Sequence, residues 1–581
     1  MSRLALFLIR PTKYDDDGYL LRHYRGVLPS NTLAAIHALT ADVIQRRLVP
    51  DVAISTWLCD ESVQPVPMRR IRRAARQQGT HVVVCLVGVQ TSQFPRASDL
   101  ALRFRALGIT VLLGGFHVSG TLAMLPETPA DLQTLLDAGV TLVAGEIETT
   151  WPAMLCDLAR GTRRATYNTL GATPTLATAP VPRLRQQVLT RFVYRHFGTI
   201  DTSRGCPFAC SFCTIINVQG RTMRERDPHA IAAAIEASHR ATGTSHYFFT
   251  DDNIARNPRW RELFTELIRL REEEHIPLRF LMQVDLLAHR TQEFVTMAAR
   301  AGCFQVFLGM ESLNPASLHD GGKRQNRVDD YRTVIDTWRA AGVLTHVGYI
   351  IGFPHDSPAS VREDLRHLRD TVSPDIASFF MLSPLPGSVD HAQLLRDGVV
   401  IDEDLNRIDT FHPVIDHPRM SRTEWMKLYQ DAWTSFYDPA HLARQLARTP
   451  PAQVVTLLQV YLWYKAATVV EQFHPMMTGF VRLRPRTDRR PGHPVESLWR
   501  HTRRRVPEIL HMLRGYGRVL NELRRLWLGL QPDSHRPAGT VRSWAAFARA
   551  MFGAGGQPAS VSRRGPRTST NPAAISTARH A

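Results

Sequence analysis

Three cysteines in one short loop are the residues of this sequence best suited to metal chemistry. They are Cys206, Cys210 and Cys213, in the run RGCPFACSFC, and their spacing is C-x3-C-x2-C. Iron–sulfur clusters that only carry electrons are usually held by four cysteine thiolates. A loop that offers three thiolates therefore predicts a [4Fe-4S] cluster with one iron free to bind a small molecule, which makes the loop a site of reaction.

Two other roles for these cysteines are less consistent with the sequence. A structural zinc site would require four Cys or His ligands, and no second C-x2-C pair follows Cys213. Disulfides are not expected, because the N-terminus lacks a secretory apolar core and a reducing, cytoplasmic location follows. The remaining cysteines lie in apolar stretches and are interpreted as packing residues: Cys59, Cys85, Cys156 and Cys303.

The cysteine loop resembles that of the radical S-adenosylmethionine (SAM) enzymes, including the aromatic Phe212 directly before the last cysteine. The resemblance implies that the open iron binds the amine and carboxylate of SAM. An electron from the cluster then cleaves SAM to a 5′-deoxyadenosyl radical. An external electron donor such as flavodoxin or ferredoxin is implied as a partner.

Residues 191–390 alternate short apolar strands with amphipathic helices, which predicts a partial (β/α)6 barrel. Functional residues of such barrels lie where strands end and loops begin. The predicted strands are Gly198–Ser203, Tyr247–Thr250, Arg279–Val284, Gln305–Gly309, Thr345–Ile351 and Ile376–Leu382.

Polar and glycine-rich runs follow three of these strands, where the resemblance implies contacts with SAM. The run after the second strand implies a site for the SAM amine, that after the fourth a site for the ribose, and that after the fifth a surface for adenine. Each run alone is also typical of a turn or a helix cap. Lys323, after the fourth strand, is interpreted as solvated. The implied SAM residues are Phe212, Asp252, Asn253, Glu311, Ser312, Gly348, Ile350 and Gly352.

Residues 1–160 also alternate strands and helices, and predict a doubly wound, flavodoxin-like parallel sheet. The runs after its strands resemble those of cobalamin-binding domains. The motif Asp-x-His-x-x-Gly is absent, so either cobalamin binds without a protein imidazole on cobalt or the domain has lost the cofactor. The implied cobalamin residues are Thr12, Thr91, Ser92, Gly114, Gly115, His117, Gly145 and Glu146.

The rest of the chain divides into three parts. Residues 161–190 lack periodicity and are interpreted as a linker, and residues 391–530 form a helical extension. This extension resembles that of the hopanoid-methylase and Mg-protoporphyrin cyclase-like branch of the cobalamin class. Residues 531–581 predict a basic, disordered tail with one short helix over Val541–Phe552.

The net charge of +18 is concentrated near the C-terminus, because residues 481–581 contain 20 Arg and 5 acidic residues and so carry +15. Helix Val506–Leu530, with Trp527 and Arg-Arg pairs, has the composition of a helix that lies on a membrane. Peripheral membrane contact is therefore an expectation, and nucleic acid is not the expected partner. A GC-rich genome explains the excess of arginine equally well.

These observations predict a cytoplasmic radical SAM enzyme that methylates an unactivated carbon with the help of cobalamin. Two alternatives are a radical cyclase without methyl transfer and a non-catalytic sensor that binds the cofactors. A third, an RNA methylthiotransferase, would require a second three-cysteine cluster that the sequence lacks. The expected substrate is a small molecule, either a lipid or terpenoid or another natural-product intermediate.

Overall fold

The computed structural model describes residues 2–532, 534, 536–537 and 539–552. It contains two six-stranded parallel sheets, one in the N-terminal part and one in the middle of the chain, followed by a helical extension. The predicted fold class is therefore confirmed. Residues 553–581, most of the predicted tail, lie outside the described residues.

The N-terminal sheet has the strand order β3-β1-β4-β5-β6-β7 and helices on both faces. Its sixth strand, β7, lies inside the predicted linker. This strand has only three residues, too few for a hydrophobic period to be recognised. The elements are β1 (Ser2–Arg10), β2 (Arg22–Arg25), α1 (Asn31–Gln45), β3 (Val52–Asp60), α2 (Met68–Ala75), β4 (Thr80–Leu86), α3 (Phe94–Arg105), β5 (Thr110–Gly114), α4 (Phe116–Met124), α5 (Ala130–Asp137), β6 (Thr141–Ala144), α6 (Trp151–Arg160) and β7 (Thr166–Asn168).

The middle of the chain forms a partial barrel with the strand order β15-β14-β13-β12-β11-β8. Its six strands coincide with the six predicted ones to within a few residues. The elements are α7 (Gln186–Leu189), β8 (Phe197–Ile200), β9 (Ser203–Arg204), α8 (Ile215–Val218), β10 (Arg224–Glu225), α9 (Pro228–Thr242), β11 (His246–Phe249), α10 (Trp260–Glu272), β12 (Arg279–Val284), α11 (Phe294–Ala301), β13 (Cys303–Glu311), α12 (Pro315–Asp320), α13 (Tyr331–Ala340), β14 (Leu344–Ile351), α14 (Pro358–His367), β15 (Ile376–Met381) and α15 (Val389–Arg396).

The extension contains the predicted helices and one strand that was not predicted. Strand β16 pairs antiparallel with β2, so the extension meets the N-terminal part of the chain. Helix α19 begins eight residues before the predicted start, and Trp527 on it is buried rather than free to meet a membrane. The elements are α16 (Arg422–Phe436), α17 (Pro439–Arg448), α18 (Pro451–Lys465), β16 (Phe480–Leu483), α19 (Leu498–Leu530) and α20 (Thr540–Phe552).

The extension covers the edge strand β15 of the barrel. The Tyr437 hydroxyl donates to the Ala377 carbonyl at 2.7 Å and accepts from the Ala377 amide at 3.2 Å, and the Tyr461 hydroxyl donates to the Asp375 carbonyl at 3.0 Å. Edge strands carry unpaired backbone groups that attract other chains. The extension therefore satisfies this edge and encloses one side of the barrel.

No helix within the described ranges has the combination of length and apolar character needed to span a bilayer.

Candidate functional site

The three cysteines of the C-x3-C-x2-C run lie on the loop between β9 and α8, directly after the first barrel strand. The loop is fixed by its backbone, because the Cys206 amide donates to the Gly220 carbonyl at 3.3 Å and the Cys213 amide to the Cys210 carbonyl at 3.2 Å. Its middle rests on the loop after α12, where a Cβ on Gly322 would lie 2.5 Å from the Ala209 carbonyl oxygen. The strand-end placement of these thiols is therefore built into the fold.

The chemistry of the three thiols suits a cluster better than a single ion. All seven cysteines are unpaired. Among the described residues, no three His, Cys, Asp or Glu side chains converge on one ion position. In a cubane each thiolate binds a different iron, so the three sulfurs need not converge. Burial raises the pKa of all three thiols, that of Cys213 to about 12, so bound iron rather than the protein would stabilise the thiolates.

The other four cysteines differ from this group. Cys59, Cys85 and Cys303 are buried, and burial raises the pKa of each thiol, to about 12 for Cys85. Cys156 is half-buried on α6, where its thiol lies 3.9 Å from the Leu48 carbonyl oxygen. Buried cysteines with raised pKa values are unreactive. The interpretation of these residues as packing residues agrees with this placement.

Glu311 and Lys323 form an ion pair beside the cysteine loop. Glu311 ends β13 at a β-bulge with a left-handed backbone, φ +67°. Its carboxylate lies 2.8 Å from the Lys323 ammonium, which also donates to the Gly309 carbonyl at 3.4 Å. Burial alone would lower the pKa of Lys323, but the negative charge of Glu311 raises that pKa by more than burial lowers it. The lysine therefore stays charged. The interpretation of Lys323 as solvated is wrong.

The run after β11 supplies a buried group of acids. The Asp251 carboxylate accepts bonds from the Thr202 amide and hydroxyl and from the Ser203 hydroxyl, and so joins two strand ends. Burial, followed by the charge of Asp251, raises the pKa of Asp252 to about 7. The Asn253 amide is bonded in both directions to Asp285. Asp252 is therefore the member of this run that the fold leaves most available to a ligand amine.

The remaining implied SAM residues have different surroundings. Phe212 packs edge-on against Phe353, with ring centroids 6.1 Å apart. Ser312 is fully buried and its hydroxyl accepts from the Asn314 amide at 3.0 Å, so it is a turn residue. Register pairs Gly348 and Ile350 with residues of β15 on one face of the sheet.

The structure explains why residue 352 is a glycine. It has φ +110°, and a Cβ on it would lie 2.0 Å from Trp425 of the extension. The Trp425 indole donates to the Ile351 carbonyl at 3.0 Å. The fold therefore requires a glycine here to admit an aromatic ring of the extension, and the contact of Gly352 with adenine stays a prediction.

An ion network joins the N-terminal sheet to the barrel directly beside the cysteine loop. The Arg204 guanidinium lies 2.7 Å from Glu146, 2.6 Å from Glu148 and 2.8 Å from Asp201. Arg224 also pairs with Glu146. Glu146, an implied cobalamin residue, is therefore bound by two arginines of the barrel, and Arg204 is a residue that the sequence analysis missed.

The other implied cobalamin residues line the carboxyl ends of the N-terminal strands, and protein groups surround them. His117 Nδ1 lies 3.3 Å from the Thr91 hydroxyl, and its ring packs on Phe94 with centroids 4.1 Å apart. A Cβ on Gly115 would lie 2.1 Å from the Val89 nitrogen, and one on Gly145 would lie 2.5 Å from the Thr169 hydroxyl. Chain packing also accounts for Gly114, which faces the Val143 carbonyl, and Ser92 is buried.

A small cavity of about 50 Å³ lies between this edge of the N-terminal sheet and the extension. Its polar wall comes from the ends of β1 and β3 and from the segments after them, and its apolar wall includes residues of the extension. Thr12 is the implied cobalamin residue that lines it. The principal lining residues are Arg10, Thr12, Ser62, Gln93, Trp463 and Met477. Open parallel sheets bind ligands at this edge.

Fold and site together define an enzyme with a cluster-binding partial barrel behind a doubly wound domain. The family model of the radical SAM superfamily matches residues 200–368, which include the three cysteines and the four barrel strands β11 to β14. The chain therefore contains a radical SAM domain, which implies a [4Fe-4S] cluster and SAM as its cofactors.

Several known proteins are similar to this chain. Bacteriochlorophyllide d C-12(1)-methyltransferase of Chlorobaculum tepidum is 25% identical over 373 residues, which cover 63% of this chain and 77% of that protein. Hopanoid C-2 methylase of Rhodopseudomonas palustris is 21% identical over 396 residues, covering 68% and 72%. The solved structure of the radical SAM methyltransferase TsrM from Kitasatospora setae, with cobalamin and a [4Fe-4S] cluster bound, has a TM-score of 0.53 at 17% identity, covering 76% and 90%.

Replacing Lys323 with methionine tests the role of the Glu311 pair. Loss of the ammonium removes a charge-assisted hydrogen bond that orients the carboxylate, so we expect the KM for SAM to rise about 10-fold. The measurement is the rate of 5′-deoxyadenosine release against SAM concentration. Lys427→Met, on the exposed face of α16, is the control. Unchanged KM in Lys323→Met, with normal iron content, would contradict a role in SAM binding.

Proposed function

We propose that this enzyme methylates an unactivated carbon of a small molecule and depends on cobalamin to do so. The observation that carries the proposal is the position of the three-thiol loop. It lies at strand ends of the barrel and is joined by buried ion pairs to the carboxyl edge of the N-terminal sheet. Two of the relatives described above are named as methylating enzymes, which supports the same reaction class.

The residues of the chain fit the cluster and SAM. Cys206, Cys210 and Cys213 would hold the cluster, and Asp252 and Glu311 would receive polar groups of SAM. Cobalamin would lie over the carboxyl ends of the N-terminal strands, since the small cavity that Thr12 lines has no room for it and the Thr12 hydroxyl already donates to the Leu21 carbonyl. When bound, the cluster supplies the electron that cleaves SAM and cobalamin supplies the methyl group.

The protein itself binds and orients SAM and shields the reacting groups from water. The Glu311–Lys323 pair fixes a carboxylate beside the cysteine loop. Burial keeps water away from the strand ends, where a carbon radical would otherwise be quenched. The extension encloses the open side of the barrel, since Trp425 and Tyr437 seal the edge at β14 and β15. We infer a lipid, terpenoid or other natural-product intermediate as substrate, a flavodoxin or ferredoxin as electron donor and the cytoplasm as location.

The experiment counts the two products that SAM can give. Protein is loaded without oxygen with iron, sulfide and cobalamin, reduced, and supplied with SAM carrying a labelled methyl group. We expect S-adenosylhomocysteine in an amount that matches the bound cobalamin, together with slow release of 5′-deoxyadenosine. If only 5′-deoxyadenosine forms, whether or not cobalamin is bound, the radical cyclase alternative is favoured. If neither forms, the sensor alternative is favoured.

A further inference from the structure

The first half of α19 exposes a continuous apolar stripe. At 100° per residue its large apolar side chains fall within a sector of about 120°. Leu498 is 71% exposed, Trp499 69% and Leu513 58%. We call these residues the exposed stripe: Leu498, Trp499, Val506, Ile509, Leu510 and Leu513.

The helix is held to the rest of the chain by residues outside the exposed stripe. In the second half of α19, Gly515, Val519, Leu523 and Trp527 are buried against the extension. The first half is tied to the segment around β16, with the Arg484 guanidinium 3.2 Å from Glu508 and the Arg505 guanidinium donating to the Arg482 carbonyl at 3.2 Å. The apolar sector is therefore presented to solvent by a fixed helix.

Arginines border the stripe along one side. Arg500, Arg503, Arg514 and Arg518 fall on the adjoining sector of about 60°. All four are exposed, and no carboxylate of the described residues forms an ion pair with them. The Arg503 guanidinium lies over the Trp499 ring, 5.2 Å from its centroid. The surface therefore combines an exposed apolar stripe with a row of unpaired positive charges.

We propose that the exposed stripe and its four arginines dock the enzyme on the surface of an anionic lipid bilayer. Apolar side chains would enter the boundary between headgroups and acyl chains, and the arginines would contact acidic headgroups. Trp and Arg side chains have an apolar body and a polar end that suit this boundary. The inference concerns where the enzyme works and does not depend on the proposed reaction.

Charge favours a lipid surface over a second copy of the chain. A dimer through this face would bring two sets of the four arginines together. Glu508, the acidic residue on this half of the helix, is already paired with Arg484 and Arg505. An anionic bilayer instead contributes about 1 kcal/mol for each arginine near its surface.

The test is sedimentation of the full chain with phosphatidylcholine vesicles, with and without about 30% phosphatidylglycerol. We expect binding to the anionic vesicles that weakens with salt. Leu510→Gln combined with Leu513→Gln should reduce the affinity about 10-fold or more. Arg503→Gln combined with Arg514→Gln should reduce it by about 10- to 30-fold at low salt. Val541→Gln, at a residue that is 82% exposed on α20, is the matched control and should bind like the wild type.

Three results would overturn the proposal. The first is no binding to anionic vesicles, and the second is equal binding to neutral ones. The third is a dimer in sedimentation velocity that the two leucine substitutions dissociate, because a second copy would then cover the stripe. All the substituted side chains are exposed, so each variant should retain the SAM cleavage rate of the wild type.

Discussion

Replacing Cys213 with alanine is expected to lower the rate of 5′-deoxyadenosine release from SAM by at least about 1000-fold. The fold offers three thiols on one loop, and the loop is held by backbone bonds that do not depend on the Cys213 sulfur. The substitution removes one of the three protein ligands and leaves the strand-end geometry intact. Iron and sulfide content and the paramagnetic signal of the reduced protein should fall together with the rate.

The matched control is Cys303→Ala. Cys303 is buried at the start of β13 with its thiol 3.4 Å from the Gln305 carbonyl, so its loss affects packing alone. We expect this variant to keep the iron content of the wild type. Cys206→Ala and Cys210→Ala should lose as much as Cys213→Ala, because the ligands of one cluster act as a unit. Retention of cluster and SAM cleavage in any of the three would contradict the assignment.

Much of the architecture could be predicted from sequence because its signals are local. The barrel strands are short apolar runs whose ends carry polar residues, and Arg279–Val284 has the observed bounds. Both fold class and cofactor chemistry follow from such patterns, since the cysteine run and the alternation of strands and helices are contiguous. The cap at α16, where Ser421 and Glu424 bond reciprocally, is a local signal of the same kind within the predicted helical extension.

The features that were missed depend on contacts between distant segments. Gly352 accommodates Trp425, and Lys323 is buried by its partner Glu311. Nothing within a few residues of either position indicates the partner. The pairing of β2 with β16 joins two segments that are far apart in the sequence, and each strand has only four residues. Short strands and buried charges are defined by tertiary structure, which a single sequence read locally does not contain.

Replacing Arg204 with methionine should destabilise the junction between the N-terminal sheet and the barrel by about 3–5 kcal/mol. The Arg204 guanidinium contacts three buried carboxylates, those of Asp201, Glu146 and Glu148. Its removal leaves their negative charges with fewer positive partners. Arg224 and Arg226 remain and limit the loss. The measurement is the urea midpoint of unfolding, together with the rate of proteolysis between the two domains.

The stability difference between wild type and Arg204→Met is expected to depend on pH. Burial alone would raise the pKa of Asp201, but the charges of Arg204 and Arg226 hold it below the ordinary value of about 3.8. A carboxylate with a lowered pKa stabilises the fold above its unfolded pKa and loses that contribution as the pH falls. The difference in stability between wild type and Arg204→Met should therefore be full at neutral pH and shrink below about pH 4.

Two further substitutions test whether the positive charge of Arg204 is sufficient at this junction or whether the guanidinium geometry is also required. Arg204→Lys keeps the positive charge, but a lysine ammonium lacks the planar guanidinium that contacts three carboxylates at once. This variant should therefore lose a large part of the free energy of unfolding that Arg204→Met loses. Arg221→Met removes an exposed arginine of the neighbouring loop and should change stability by less than about 0.5 kcal/mol. If Arg204→Met unfolds like Arg221→Met, the ion network does not hold the domains together. The cysteine loop, which begins two residues after Arg204, would then owe its position to packing alone.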